Sequence, residues 1–75
     1  MDAQMVAFIS AGIGAVGVTF GAAYGISKLA STAMQGIARQ PEAAGEIRGA
    51  MIITAAMIEG VALLAAVICF LLSLK

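Results

Sequence analysis

Histidine and tryptophan are absent from these 75 residues, proline and cysteine occur once each, and only 11% of the side chains are charged. Each shortage excludes something. One cysteine cannot close a disulfide within the chain or build a cysteine-based zinc site. Four basic and four acidic residues balance to zero with no basic cluster, so the positive footprint of a nucleic-acid binder is missing. Soluble domains carry charge on about a quarter of their residues, well above the share here. What the chain has instead is apolar bulk: 63% hydrophobic residues and 9 glycines. That is the composition of a membrane protein.

The placement of the charges says more than their number. Asp2 and Lys75 mark the ends, and Lys28, Arg39, Glu42, Glu46 and Arg48 fall in the middle third. No charge interrupts residues 3–27, and Glu59 alone interrupts 49–74. About 20 apolar residues cross the hydrocarbon core as a helix. Lipid obliges every backbone group to bond within its own segment, so two such runs predict a helical hairpin. The pattern predicts one all-α unit over residues 1–75: a first helix at 3–38, a polar loop at 39–42 and a second helix at 43–74. A helix over 3–38 is about 54 Å long, so its last turns stand beyond a core of about 30 Å. Lys28 can snorkel towards that boundary.

Arg39-Gln40-Pro41-Glu42 carries the turn. Proline turns Gln40 away from helical geometry and suits the first position of the next helix. Glu42 and Glu46 then lie near that helix's positive end. Lys28, Arg39 and Arg48 flank the turn against Lys75 alone at the termini, so the excess of basic residues puts the loop in the cytoplasm and both termini outside. The first run is not read as a signal peptide, since it opens with Asp2 and is longer than a signal's apolar region.

Small residues occupy alternate positions of the first helix from Gly17 to Ser27. A lone strand cannot cross a bilayer, so the series is read on a helix, where it splits into two stripes. Gly17, Gly21 and Gly25 recur every four residues with Gly14 extending the line; Thr19, Ala23 and Ser27 form the other, about 200° away. Small stripes let helices approach closely in lipid. Two opposed stripes fit a helix with a neighbour on each side, and repeated head-to-tail contact closes into a homo-oligomeric ring. The alternative is that one stripe meets this chain's own second helix and the other meets nothing. Gly12-Ile13-Gly14-Ala15-Val16-Gly17 also satisfies a dinucleotide-binding pattern, but no strand precedes it and Gln35 stands where an acid belongs.

Glu59 lies 18 positions past Pro41, about 27 Å up the second helix. At that height the first helix offers residues 21–26. Its helical neighbours, Ala55, Ala56, Ala62 and Leu63, predict a shallow groove of alanines with no Lys, Arg or His partner. An ionised carboxylate there costs several kcal/mol, so the acid holds its proton until water or a positive charge reaches it. That is how a proton carrier behaves; a helix-packing hydrogen bond from a permanently protonated acid is the plainer alternative. Sodium requires several oxygen ligands. Gly60 and Val61, which follow Glu59, supply none from their side chains, and Thr54 lies off its face. On the first helix Gly25 and Ile26 supply none either, leaving Tyr24 as the polar candidate. Ligand supply favours the proton. Cys69 reads as a small packing residue, Met51 and Met57 as lipid or packing contacts and Lys75 as an interfacial anchor.

The glycine-rich first helix, the loop Ala38-Arg39-Gln40-Pro41-Glu42-Ala43 and the lone Glu59 together resemble the proteolipid c-subunit family of F-type ATP synthases over essentially the whole chain. The resemblance implies a rotor ring with the first helix inside. It implies that Glu59 takes a proton from one half-channel of the a subunit, where an arginine discharges it in passing, and returns it through another. Arg39, Gln40 and Pro41 match the loop that meets the central stalk, built from the gamma and epsilon subunits. Gly14, Gly17, Gly21, Ala23 and Gly25 match the packing stripe of the inner helices. Sodium-using members carry a glutamine on helix one and a hydroxyl residue after the acid, where this chain has Ile26 and Gly60. The implied protein is non-catalytic, binds no cofactor beyond the transported proton, contacts membrane lipids and sits in a bacterial inner membrane. Two other readings stay open: a hole-forming or scaffolding hairpin such as a phage holin, and a sodium-coupled version of the same rotor.

Overall fold

The computed structural model describes residues 2–75 and is entirely helical. A first helix, α1, spans Ala3–Arg39; a single 3-10 turn spans Pro41–Ala43; a second helix, α2, spans Ala44–Ser73. Each helix is long and apolar enough to cross a membrane. They fold back on one another into a rod 58 Å long and 15 Å by 8 Å across.

Local chemistry sets each boundary. Asp2 caps α1, its Oδ1 accepting the Met5 N–H at 2.8 Å and so satisfying one of the unpaired donors of the first turn. At the other end Gln40 leaves helical geometry (φ −134°) because Pro41 follows, while its own N–H still donates to the Gly36 carbonyl at 2.9 Å. Pro41 opens the 3-10 turn, where its missing N–H costs nothing, and the Ala43 N–H donates to Gln40 O at 2.9 Å. The reversal therefore takes one non-helical residue, Gln40. Glu46 lies in the first turn of α2, where the helix dipole favours a negative charge. Ser73 ends α2 by donating its hydroxyl to the Phe70 carbonyl at 2.6 Å.

The two helices meet along one seam of small residues. Ala11 and Ala33 are buried, and Gly14, Val18, Ala22 and Gly25 are half-buried between them. Three glycines record the register: a methyl group added at Gly14 would meet Cys69, one at Gly25 would meet Ile58, and one at Gly36 would meet Ile47. Each step of eleven residues along α1 is matched by eleven along α2, so the pairing does not drift over the length of the hairpin. Eleven residues are three turns at 3.67 per turn, close to the natural helical period, so the seam can stay on one side of a long helix. The closest approach is at Gly14, where the added methyl would lie 2.7 Å from the Cys69 sulfur. Cys69 is thus a packing residue of the seam.

The seam divides the glycine line read from the sequence. Gly14 and Gly25 lie against α2 of the same chain, whereas Gly17 and Gly21 have open space where a side chain would be. At 100° per residue Gly17 and Gly21 stand about a quarter-turn to one side of the seam, and Thr19 and Ala23 about as far to the other. Both flanking stripes are exposed. The hairpin contact therefore takes a third side of α1 and leaves both small flanks free.

Candidate functional site

Glu59 projects from the middle of α2, about 16 Å from Arg48 and about 24 Å from Lys75 along the helix axis. The Gly25–Ile58 contact puts it level with residues 24 and 25 of α1, within the stretch inferred from the sequence. The carboxyl does not lie on the seam. It lines one lateral groove of the hairpin, together with Val18, Thr19, Ala22 and Ala23 of α1 and Ala62, Leu63 and Ala66 of α2. Alanine makes up most of the walls, as the helical spacing around Glu59 predicts, but α1 supplies two of those alanines. Among the described residues none hydrogen-bonds the carboxyl, which stands exposed at the rim.

The groove on the other side of the seam is its apolar counterpart. Gly21 and Ala22 of α1 line it with Met57, Ile58, Val61 and Ala65 of α2. It holds about 460 Å³ against about 350 Å³ for the groove of Glu59. The hairpin is thus two-sided: an acid in one groove and none in the other.

Two residues near the acid are sorted by the structure in a way that spacing alone does not give. Tyr24, the polar candidate on helix one, lines neither groove; its side chain is 70% exposed and its ring lies under the Lys28 ammonium, 6.0 Å from the ring centre. Thr19, for which the spacing predicts no ligand role, shares the groove with Glu59. Its hydroxyl donates to the Ala15 carbonyl at 2.8 Å, leaving an oxygen lone pair at the groove. The signal was present in the Thr19, Ala23, Ser27 stripe, which places Thr19 on the same flank as Ala23. Thr54 spends its hydroxyl on its own helix, bonding Ala50 O at 2.8 Å and Met51 O at 3.1 Å. Ile26 is half-buried and adds no oxygen.

Arg39, Gln40 and Pro41 come together at the tip of the rod, all three exposed, with Glu42 beside them. The tip and Glu59 are far apart: the separation along α2 is about 27 Å. A contact made at the tip therefore reaches the acid only by moving the hairpin as a body.

Two apolar helices in antiparallel register, with one ionisable side chain set into a lateral groove and small residues left free on both flanks of α1, define a two-span membrane hairpin. Residues 9–72 match the family of ATP synthase C subunits, and the chain belongs to that family. It is 59% identical to the ATP synthase c subunit of Bacteroides thetaiotaomicron over 63 residues, covering 84% of this chain and 74% of that one. The corresponding protein of Phocaeicola vulgatus is 54% identical over 63 residues, covering 84% and 75%. That of Lacticaseibacillus casei is 45% identical over 65 residues, covering 87% and 93%. No solved structure matches the chain. Family membership makes this hairpin a ring-forming rotor subunit of the synthase's membrane sector, in place of a hole-forming hairpin.

Proposed function

We propose that this chain carries protons for an F-type rotor in a bacterial inner membrane, with Glu59 as the carrier. The observation behind this reading is the single carboxyl at mid-span, set in a groove whose other walls are apolar apart from Thr19. Head-to-tail packing of hairpins brings the Glu59 groove of one copy against the Gly21, Met57 and Val61 groove of the next. The neighbour then covers the acid with apolar surface and keeps water from it between encounters. Where the ring passes the a subunit, water and an arginine of that partner draw the proton off, and a second channel returns one. The loop faces the cytoplasm, where Arg39, Gln40 and Pro41 engage the gamma and epsilon subunits of the central stalk, and both termini face outward. Rotation of the ring is then passed to the stalk. The chain itself performs no catalysis; nucleotide chemistry belongs to the partner subunits.

The proton is favoured over sodium because, among the described residues, Glu59 and Thr19 alone bring side-chain oxygens to this groove, too few to replace an ion's water shell. The test is chemical modification of assembled membranes. A hydrophobic carbodiimide is expected to label Glu59 and stop ATP-driven proton pumping, with no protection by sodium. Pumping at the normal rate by Glu59→Gln membranes rejects the carrier role, and sodium protection of the label rejects the choice of ion.

A further inference from the structure

Glu46-Ile47-Arg48 stands eleven residues before Met57-Ile58-Glu59, one repeat of the glycine register. Ile47 faces Gly36 across the seam as Ile58 faces Gly25. Glu46 therefore falls on the side of Met57 and Arg48 on the side of Glu59, about 200° apart around α2. Both are exposed. Residues two apart on a helix do not face each other, so these two do not pair within one chain. They stand about 16 Å from Glu59 towards the loop, where the apolar run of α2 begins at Gly49. At that one level the hairpin carries a negative charge on one side and a positive charge on the other.

We propose that Arg48 of each copy pairs with Glu46 of the next, an ion pair that repeats at every contact of the ring and fixes the sense in which copies join. The pair rests on the head-to-tail packing read above, in which the Glu59 side of one copy meets the Met57 side of its neighbour. That packing brings opposite signs together at every contact. A copy turned round to present the same side sets Arg48 against Arg48, which disfavours the wrong sense. The reach is sufficient. Glu46 and Arg48 differ in height by about 3 Å, and the longer arginine, tilted like other helical side chains towards the helix N-terminus, reaches back across that step. A second copy is the occupant that fits, because an anionic lipid or any partner charged with one sign is met by like charges on both sides.

The test is native mass measurement of rings of the full chain in mild detergent, with hairpin helicity followed by circular dichroism. Glu46→Arg copies present two positive sides and Arg48→Glu copies two negative ones. Each alone is expected to give about tenfold fewer intact rings than the unaltered protein, from a lost attraction and an added repulsion of about threefold each at an exposed contact. The helix dipole favours Arg48→Glu, so a loss in that variant marks a contact between copies. Mixing the two variants equally, or placing both changes in one chain, is expected to return intact rings to within about twofold of normal. The variants differ in mass, and mixed rings are expected to hold both in near-equal number. Where a reversal disturbs the hairpin itself, Glu46→Gln and Arg48→Gln carry the test: each is expected to cost about threefold, and both together no more than one. Normal rings from the single reversals, no recovery on mixing, or additive losses in the neutral pair overturn the ion pair. Absence of any ring from the unaltered protein overturns the head-to-tail reading and the pair with it.

Discussion

The two grooves beside the seam share Val18, Ala22 and Ala62, yet only one of them carries an acid. A single helical step decides the difference. Ile58 points back to the seam, Met57 falls to the apolar side and Glu59 to the other. The asymmetry suits a closed ring: a hairpin with the same surface on both sides could meet its copies in either sense, whereas unlike sides favour one head-to-tail contact. In the head-to-tail packing proposed above, the acid of one copy meets the apolar side of the next and never a second acid.

The largest expected effect removes the difference. Glu59→Gln leaves two neutral grooves, and ATP-driven pumping in inverted vesicles is expected to fall to background while rings of normal mass still form. Adding Val61→Glu to that variant moves the carboxyl across the seam, and pumping is expected to stay at background. Recovery there would show that depth alone matters and that the side does not.

Filling the apolar groove comes next. Gly21 has open space for a side chain, so Gly21→Leu leaves the hairpin intact and blocks the neighbour. The expected result is folded hairpins by circular dichroism with little or no intact ring by mass. Gly14→Ala acts inside the seam instead, where the new methyl meets the Cys69 sulfur at 2.7 Å. Overpacking of this kind costs about 1–3 kcal/mol. Because the sulfur is the obstacle, Cys69→Ala is expected to recover most of that loss, which a double-mutant cycle on hairpin stability measures.

The smallest effect belongs to Thr19. Its hydroxyl is bonded to its own helix, and polar contacts between membrane helices average only about 0.6 kcal/mol. Thr19→Val is therefore expected to leave pumping within about threefold of normal, a change of that size. A collapse of pumping would make Thr19 a ligand of the carried ion and bring the sodium-coupled rotor back into contention.

Much of this was legible in the residues. Charges at the ends, around Pro41 and at Glu59 mark two spans, one turn and one intramembrane acid, because lipid makes each charge conspicuous. Gln40 as the break follows from the proline after it, whereas Asp2, read only as a terminal charge, is shown by the structure to cap α1. The glycines were harder. A recurrence of four residues drifts around a helix of 3.6 residues per turn, so Gly14, Gly17, Gly21 and Gly25 read as one line although only the first and last reach α2. The seam follows the eleven-residue spacing of Gly14, Gly25 and Gly36, which the denser four-residue pattern hides. Tyr24 lies at the right height to serve Glu59, but height is not azimuth, and its ring lies on another side of α1.

By itself, then, the sequence determined how many times the chain crosses the bilayer, where it reverses and which residue in the span is ionisable, since these depend on composition and on neighbours along the chain. The tertiary structure decided which sides of α1 are used up by the hairpin and which groove receives Glu59. Those depend on the rotation and register of two antiparallel helices, and it is their contact at Gly14, Gly25 and Gly36 that fixes both.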